Sequence, residues 1–254
     1  MKRYLTALFL FCVFFNLASG QQLFRTKRME AVGGLGTSQF FGDIGGFSQN
    51  KNILGFKDII FHQTRFNIEG ALKYRILENV DVRLGLSFGM FHAIDTKGSN
   101  EDRGFEAKTT YFEPAVTGEY FFIKSKNENS YLFMKGRKQK LQSVMQKIDV
   151  YALAGIGGLS YNVKPNAGLA AKNFPTSGFT AVIPVGIGAN LLMFPDYNFG
   201  VEITGRYAFS DYLDGYTSQY SKSNDVYYTL TFTFTYKIPT RNNGMPRFLS
   251  KKRF

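Results

Sequence analysis

Strict alternation between residues 226 and 238 constrains the fold of this chain more than any other feature. One parity carries the large apolar side chains Val226, Tyr228, Leu230, Phe232, Phe234, Tyr236 and Ile238. The other parity carries Tyr227, Thr229, Thr231, Thr233, Thr235 and Lys237. A period of two over this length predicts a β-strand. Aromatic residues toward both ends, with Leu and Phe between them, are typical of a strand that crosses a membrane within a barrel.

The same test predicts eight strands in all. They cover residues 30–41, 65–76, 80–91, 110–122, 151–161, 179–191, 199–209 and 226–238. An even number of antiparallel strands closes a barrel with both termini on one side, which is the periplasm for outer-membrane barrels. We therefore predict an all-β fold, an eight-stranded antiparallel transmembrane β-barrel. The apolar parity is expected to face lipid, and in the fifth strand it consists of Tyr151, Leu153, Leu159 and Tyr161.

The predicted connections fall into two classes of length. The long connections, expected outside the cell, are 42–62, 92–106, 162–178 and 211–224. The connections at 77–79 and 194–197 are tight periplasmic turns. Residues 123–148 break this rule, because they form a long connection on the periplasmic side.

The N-terminal residues 1–20 have the order of a secretory signal peptide. Lys2 and Arg3 precede an apolar run that ends in Ala18-Ser19-Gly20, as such peptides do. The chain contains 15 tyrosines and 27 phenylalanines, yet its mean hydropathy is only −0.16, and no second apolar run is long enough for a membrane helix. We therefore predict a signal peptide over 1–20, a barrel in the outer membrane over 21–238 and a basic periplasmic tail over 239–254.

The parity opposite the apolar one fills the predicted lumen with charge. It contains Arg65, Glu69, Lys73, Arg75, Asp81, Arg83, Glu113, Glu119, Glu202 and Arg206. The interior of an eight-stranded barrel is only wide enough for side chains, and buried charges persist when they are paired. We expect these five acids and five bases to neutralise one another in a packed lumen. A gated proton or ion path is the alternative.

The net charge of +12 lies mostly at one end of the predicted barrel. The periplasmic connection and the tail hold the bases that we consider for partner binding, namely Lys135, Arg137, Lys138, Lys140, Lys251, Lys252 and Arg253. These bases form either a rim against anionic phospholipid headgroups or a docking surface for an acidic periplasmic partner. Nucleic-acid binding is not expected, because aromatic residues do not alternate with the basic ones.

Candidate catalytic residues are few. The two histidines, His62 and His92, are brought near Asp95 by the hairpin about Glu78, but their parity matches the lipid face. The chain after the signal peptide has no cysteine, and no histidine pair has the i,i+4 spacing of a helical metal site. We therefore predict a protein that is not an enzyme, with no metal, no cofactor and no small-molecule substrate. An enzyme with its site at the rim is the less favoured alternative.

The stretch "RYAFSDYLDGYTSQY" begins as a strand and loses its period at Asp211. Asp214 and Gly215 favour a turn, and Tyr212 and Tyr216 are expected over the barrel mouth. We interpret the two aspartates as groups that cap this loop, pairing with lumen arginines or accepting from backbone amides.

Several stretches together resemble one family. They are "FFGDIGG" (40–46), "FEPAVTGEYFF" (112–122), "YALAGIGGLSYN" (151–162), "IPVGIGANL" (183–191), "EITGRYAFSDYLDGY" (202–216) and "SNDVYYTLTF" (223–232). In this order they resemble the PorG-like outer-membrane barrels of the type IX secretion system.

The resemblance implies a non-enzymatic barrel that associates with periplasmic secretion-ring proteins and helps to assemble or anchor the translocon. The positions that match the family's pattern are Asp43, Glu113, Glu119, Glu202, Arg206, Asp211, Tyr212, Leu213 and Asp214, and their implied role is structural. A generic small outer-membrane barrel, acting as an adhesin or envelope stabiliser, is the alternative, since fold similarity does not settle function.

Overall fold

The predicted eight-stranded antiparallel barrel is confirmed. The computed structural model describes residues 28–45, 61–95, 103–125, 131–133, 144–145, 147–217 and 224–239. Its strands are β1 (Met29–Phe41), β2 (Arg65–Leu77), β3 (Val80–Ile94), β4 (Glu106–Ile123), β5 (Ile148–Pro165), β6 (Ser177–Phe194), β7 (Tyr197–Ala208) and β8 (Val226–Ile238). Each strand pairs with its neighbour in sequence, and β1 pairs with β8 to close the barrel. The predicted signal peptide, the tail beyond Pro239 and most of the basic connection lie outside the described residues.

Alternating exposure along β8 shows which side of the wall is apolar. Leu230, Phe232 and Phe234 are 39%, 50% and 52% exposed, whereas Thr231 and Thr233 between them are at most 2% exposed. Strands β2 and β7 show the same pattern, with apolar side chains outside and polar ones inside. This is the reverse of the arrangement in a water-soluble protein. An apolar outer surface of this extent needs lipid around it. In the described part of the chain, no helix is long and apolar enough to cross a membrane.

Strands β4 and β5 extend further toward the long loops than alternation predicted. Their pairing continues through Lys108 opposite Lys164 and ends with Ala107 opposite Pro165. The outward residues of this extension are polar, so that hydrophobic alternation fades although the hydrogen-bonded ladder continues. The barrel wall therefore rises beyond its apolar belt on this side. A short helix at Ala167–Ala170 begins the connection from β5 to β6.

The predicted lipid-facing side of β5 was wrong. Tyr151, Leu153, Leu159 and Tyr161 are at most 7% exposed and point into the lumen. The small residues of the opposite parity, such as Ala154, point outward instead. Tyrosine fits inside because its ring fills space next to an inward glycine and its hydroxyl reaches a polar partner: the Tyr151 hydroxyl donates to Glu202 Oε2 at 2.8 Å.

Gly188 should be intolerant of a side chain for this reason. It is the cross-strand partner of Tyr151, and an added Cβ would overlap the tyrosine ring. We expect Gly188→Ala to lower the free energy of unfolding by about 1–3 kcal/mol, because the ring must leave its place and release Glu202. Gly70→Ala is the matched control, since an added Cβ there meets nothing within 4 Å. Equal denaturant midpoints for the two variants in detergent would contradict this packing.

Candidate functional site

The centre of the lumen is organised around Arg83. Its guanidinium donates to Glu202 Oε2 at 2.7 Å and Glu119 Oε1 at 3.1 Å, and it is also bonded to Glu69. Lys73 Nζ donates to Glu119 Oε2 at 2.7 Å. All five side chains are less than a tenth exposed. One guanidinium therefore holds three carboxylates contributed by three different strands.

Two further ion-pair groups flank this centre. Toward the long loops, Arg206 Nε donates to Glu113 Oε1 at 2.9 Å, and the hydroxyl of Tyr227 donates to Glu113 Oε2 at 2.8 Å. Toward the tight turns, Arg75 pairs with Glu30 at 3.2 Å and Asp81 at 3.4 Å. Nine of the ten charged residues predicted for the lumen thus lie in these three ion-pair groups, which follow one another along the lumen as a column.

Arg65, the tenth, lies apart from this column. It is the first residue of β2, where the strand leaves the barrel, and its guanidinium donates to the backbone carbonyls of His62 and Thr64, both at 2.9 Å. Glu30, Tyr151 and Tyr227 join the column although they were not predicted as members. Glu30 and Tyr227 lie on the inward parity of β1 and β8, and this parity could have identified them from the sequence.

A cavity of about 20 Å³ lies between the Arg83 and Arg206 groups. Its lining includes Glu69, Arg83, Glu113, Thr117, Glu202 and Arg206. A space of this size holds a water molecule and no larger solute. The central lumen is therefore filled by its own side chains.

Residues 211–217, together with Asp225, cover the lumen at the loop end, and we call them the lid. Leu213 is fully buried and belongs to an apolar cluster that contains Phe91, Tyr111 and Tyr227. Its carbonyl accepts from Thr109 Oγ1 at 2.6 Å, and its amide donates to Asp225 Oδ2 at 2.8 Å. The loop therefore returns into the barrel mouth and is held there by the wall of β4.

Asp214 ties the lid to a second loop. Its carboxylate accepts from the amides of Ile44 at 3.1 Å and Tyr216 at 3.0 Å. Burial, together with the nearby carboxylates of Asp43 and Asp211, raises the pKa of Asp214 to about 7 although these hydrogen bonds lower it. Burial, with Asp214 beside it, also raises the pKa of Asp225 well above its usual value. Asp214 therefore bonds backbone amides, one of the two roles predicted for the motif aspartates, whereas Asp211 accepts from the hydroxyl of Thr217.

Arg103 connects the lid to the remaining loops. Its guanidinium donates to Asp95 at 2.8 and 3.1 Å and to the carbonyl of Asp43 at 2.9 Å. It also contacts the rings of Phe105 and Tyr216, whose centroids lie 4.8 and 4.5 Å from the guanidinium carbon and 5.4 Å from each other. These two cation–π contacts and the hydrogen bonds fix the guanidinium, so that three loops share one anchor.

The histidines do not form a catalytic arrangement with Asp95. His92 is buried, its Nε2 lies 2.9 Å from Glu106 Oε1, and its Nδ1 lies 2.6 Å from Arg65 Nη2. Both ring nitrogens are therefore engaged, and neither is left to activate a hydroxyl nucleophile. Asp95 is bonded to Arg103 instead. Within the described residues, no group of three histidine or carboxylate ligands has the geometry of a metal site.

The described part of the basic connection lies against the turn end of the barrel. The amides of Leu132 and Phe133 donate to the carbonyls of Leu192 and Met193 at 3.0 and 3.3 Å, and Phe133 stacks on Phe194 at 5.2 Å. The residues predicted to bind a partner, Lys135, Arg137, Lys138, Lys140, Lys251, Lys252 and Arg253, lie outside the described residues.

Comparison with known proteins shows likeness to solved structures. The barrel is similar to the Neisserial surface protein A (11% identity, 82% of this chain and 96% of that one, TM-score 0.45). It is similar to the N-terminal barrel of Pseudomonas aeruginosa OprF (10% identity, 83% of this chain and 99% of that one, TM-score 0.43). It is also similar to Yersinia pestis Ail (13% identity, 83% of this chain and 97% of that one, TM-score 0.36). No family model matches the chain, and no curated protein matches it. At these identities the likeness is one of fold alone.

Proposed function

We propose that this chain is a non-enzymatic outer-membrane barrel that anchors or helps to assemble a type IX protein secretion machine through its periplasmic end. The observation that carries the proposal is the filled lumen. Arg83 and its three carboxylates occupy the centre, and Leu213 covers the loop end. Side chains of the described residues fill the lumen, and a filled barrel offers partners its outer surface and its two rims.

The distribution of charge favours the turn end as the contact surface. Residues 123–148 carry a net charge of +6 and the tail from Pro239 carries +5, by count of their acids and bases. A concentrated positive surface selects acidic partners and accelerates their encounter. The resemblance of the "FEPAVTGEYFF" and "RYAFSDYLDGY" stretches to PorG-like barrels supports secretion-ring proteins as those partners. The termini are assigned to the periplasm in this proposal.

A second candidate function is an adhesin or envelope stabiliser. The contacts that favour it are those of Arg103 and Asp214, which join the described residues of three loops at the loop end. Loop residues held to one another in this way suit recognition outside the cell. Affinity isolation of the solubilised full chain distinguishes the two candidates. Recovery of no periplasmic ring protein, together with intact secretion in a deletion strain, would rule out the secretion role.

Charge reversal at the turn end should weaken partner capture. Replacing Lys135, Arg137, Lys138 and Lys140 with glutamate is expected to reduce the captured periplasmic protein about tenfold or more, because an acidic partner would meet repulsion. The matched control reverses four lysines of the long loops, namely Lys51, Lys57, Lys97 and Lys222. Quantitative immunoblotting of captured material provides the measurement. If the connection variant captures as much periplasmic protein as the long-loop variant, the connection has no docking role.

A further inference from the structure

Two lysines face each other on the outer wall near the loop end. Lys108 of β4 and Lys164 of β5 are direct cross-strand partners, and both side chains point outward. The Lys108 side chain is 57% exposed. Residues directly opposite on antiparallel strands have Cβ atoms about 4.5–5.5 Å apart, and like charges at this spacing destabilise the pair. An anion bound between the two lysines would relieve this repulsion.

Little of that compensation comes from the described part of the chain. Glu106 Oε1 lies 3.1 Å from Lys108 Nζ and also 2.9 Å from His92 Nε2, so one carboxylate serves both. Arg65 adds a guanidinium on the other side of His92. Lys164 has no acidic partner among the described residues. We call Arg65, His92, Glu106, Lys108 and Lys164 the outer basic patch, which holds three permanent bases and one acid.

The height of the patch matches a headgroup layer. Phe112 of β4 lies opposite Ser160 of β5, and the exposed rings of Phe112 and Phe179 flank this row. The lysine pair follows four residues further along both strands. Four residues span about 13 Å, or about 9 Å along the membrane normal at a tilt of about 45°. Aromatic side chains mark the edge of the hydrocarbon core, so the lysines lie among the polar headgroups.

We propose that Lys108 and Lys164 together bind the phosphate of an anionic lipid headgroup in the leaflet that surrounds the loop end. A phosphate offers several acceptor oxygens and a negative charge, and an ammonium is a compact donor that serves as a point charge for phosphate. One phosphate between the two lysines replaces their repulsion with two attractions. Lipid binding at this pair does not depend on the secretion role.

The test compares thermal unfolding of the reconstituted full chain in two kinds of vesicle. One is phosphatidylcholine alone, and the other is phosphatidylcholine with a minor fraction of lipid A, which carries phosphate. We expect lipid A to raise the wild-type midpoint by about 4–8 °C. The double variant Lys108→Gln/Lys164→Gln should lose at least half of this gain. In phosphatidylcholine alone it should melt no lower than wild type, because the like-charge pair has been removed.

The control variant is Lys172→Gln, which removes an exposed lysine of the β5–β6 connection outside the patch. It should keep the full wild-type gain. A double variant that keeps the full gain would overturn the proposal. So would an equal gain from inorganic phosphate added to phosphatidylcholine vesicles, because the site would then bind free anions rather than a lipid. A double variant that melts lower than wild type in phosphatidylcholine would show a structural role instead.

Discussion

Replacing Arg83 with methionine should prevent the barrel from folding or lower its free energy of unfolding by about 4 kcal/mol or more. The guanidinium is the shared partner of Glu69, Glu119 and Glu202 in the buried lumen. Breaking one buried pair typically costs about 3–5 kcal/mol, because the partner is left as an uncompensated charge. Here three carboxylates lose a partner, and only Glu119 keeps another base, Lys73. The measurement is the denaturant midpoint of the detergent-refolded protein.

Two comparisons separate this charge effect from a simple loss of packing. Arg206→Met removes a buried arginine with one carboxylate partner, Glu113, and should cost less than Arg83→Met. Adding Glu69→Gln and Glu202→Gln to the Arg83 variant should recover part of the loss, since neutral side chains need no counter-charge. If the triple variant is no more stable than Arg83→Met, the ion pairs are not the source of the effect.

Alternation in the sequence predicted the number, order and approximate limits of the strands. It succeeded because each strand separates lipid from a polar lumen, and the side-chain period of a strand is two. The same logic placed Glu69, Arg83 and Glu202 on the inward parity before any contact was known. It did not indicate which carboxylate pairs with which base, because the column is assembled from strands that are distant in sequence.

Strand β5 shows where alternation is insufficient. The pattern establishes that two faces differ but not which face is inside, and large side chains were assigned to lipid by default. Tyr151 and Tyr161 are inside because glycines opposite them, Gly188 and Gly178, leave room for their rings. This complementarity depends on the register of two strands. The loss of period at Asp211 likewise marked the end of β7, but not the contact of Asp214 with Ile44, which is 170 residues away in sequence.

The lid should open more readily as the pH rises. In the closed lid the pKa of Asp214 is about 7, against about 3.8 when the carboxyl is in water. A raised carboxyl pKa means that the protonated form favours the closed state. The stability that protonated Asp214 gives to the closed lid is therefore fully present below about pH 4 and is lost as the pH rises through about 7. The full shift corresponds to a contribution on the order of 4 kcal/mol.

The groups that face Asp214 act in the same direction. Asp43, Asp211 and Asp225 are all acids. The carboxylates of Asp43 and Asp211 raise the pKa of Asp214, and those of Asp214, Asp211 and Asp43 raise the pKa of Asp225. Arg103 lies beside this cluster but is already bonded to Asp95. Protonation, rather than pairing with a base, is therefore what relieves the repulsion within the lid.

Hydrogen exchange of the lid amides tests this pH dependence. Protection of the Leu213, Ile44 and Tyr216 amides, corrected for intrinsic exchange, should fall about 100-fold between pH 5 and pH 8. The range from pH 5 to the Asp214 pKa of about 7 spans about two pH units, and each unit is worth about a factor of ten. The double variant Asp214→Asn/Asp225→Asn should show little dependence on pH, whereas Glu78→Gln at the opposite end should behave as wild type. Wild-type protection that is constant or rises with pH would contradict the account. Burial would then fail to outweigh the amide hydrogen bonds that favour the ionised carboxylate, and the lid would stay closed by those bonds alone.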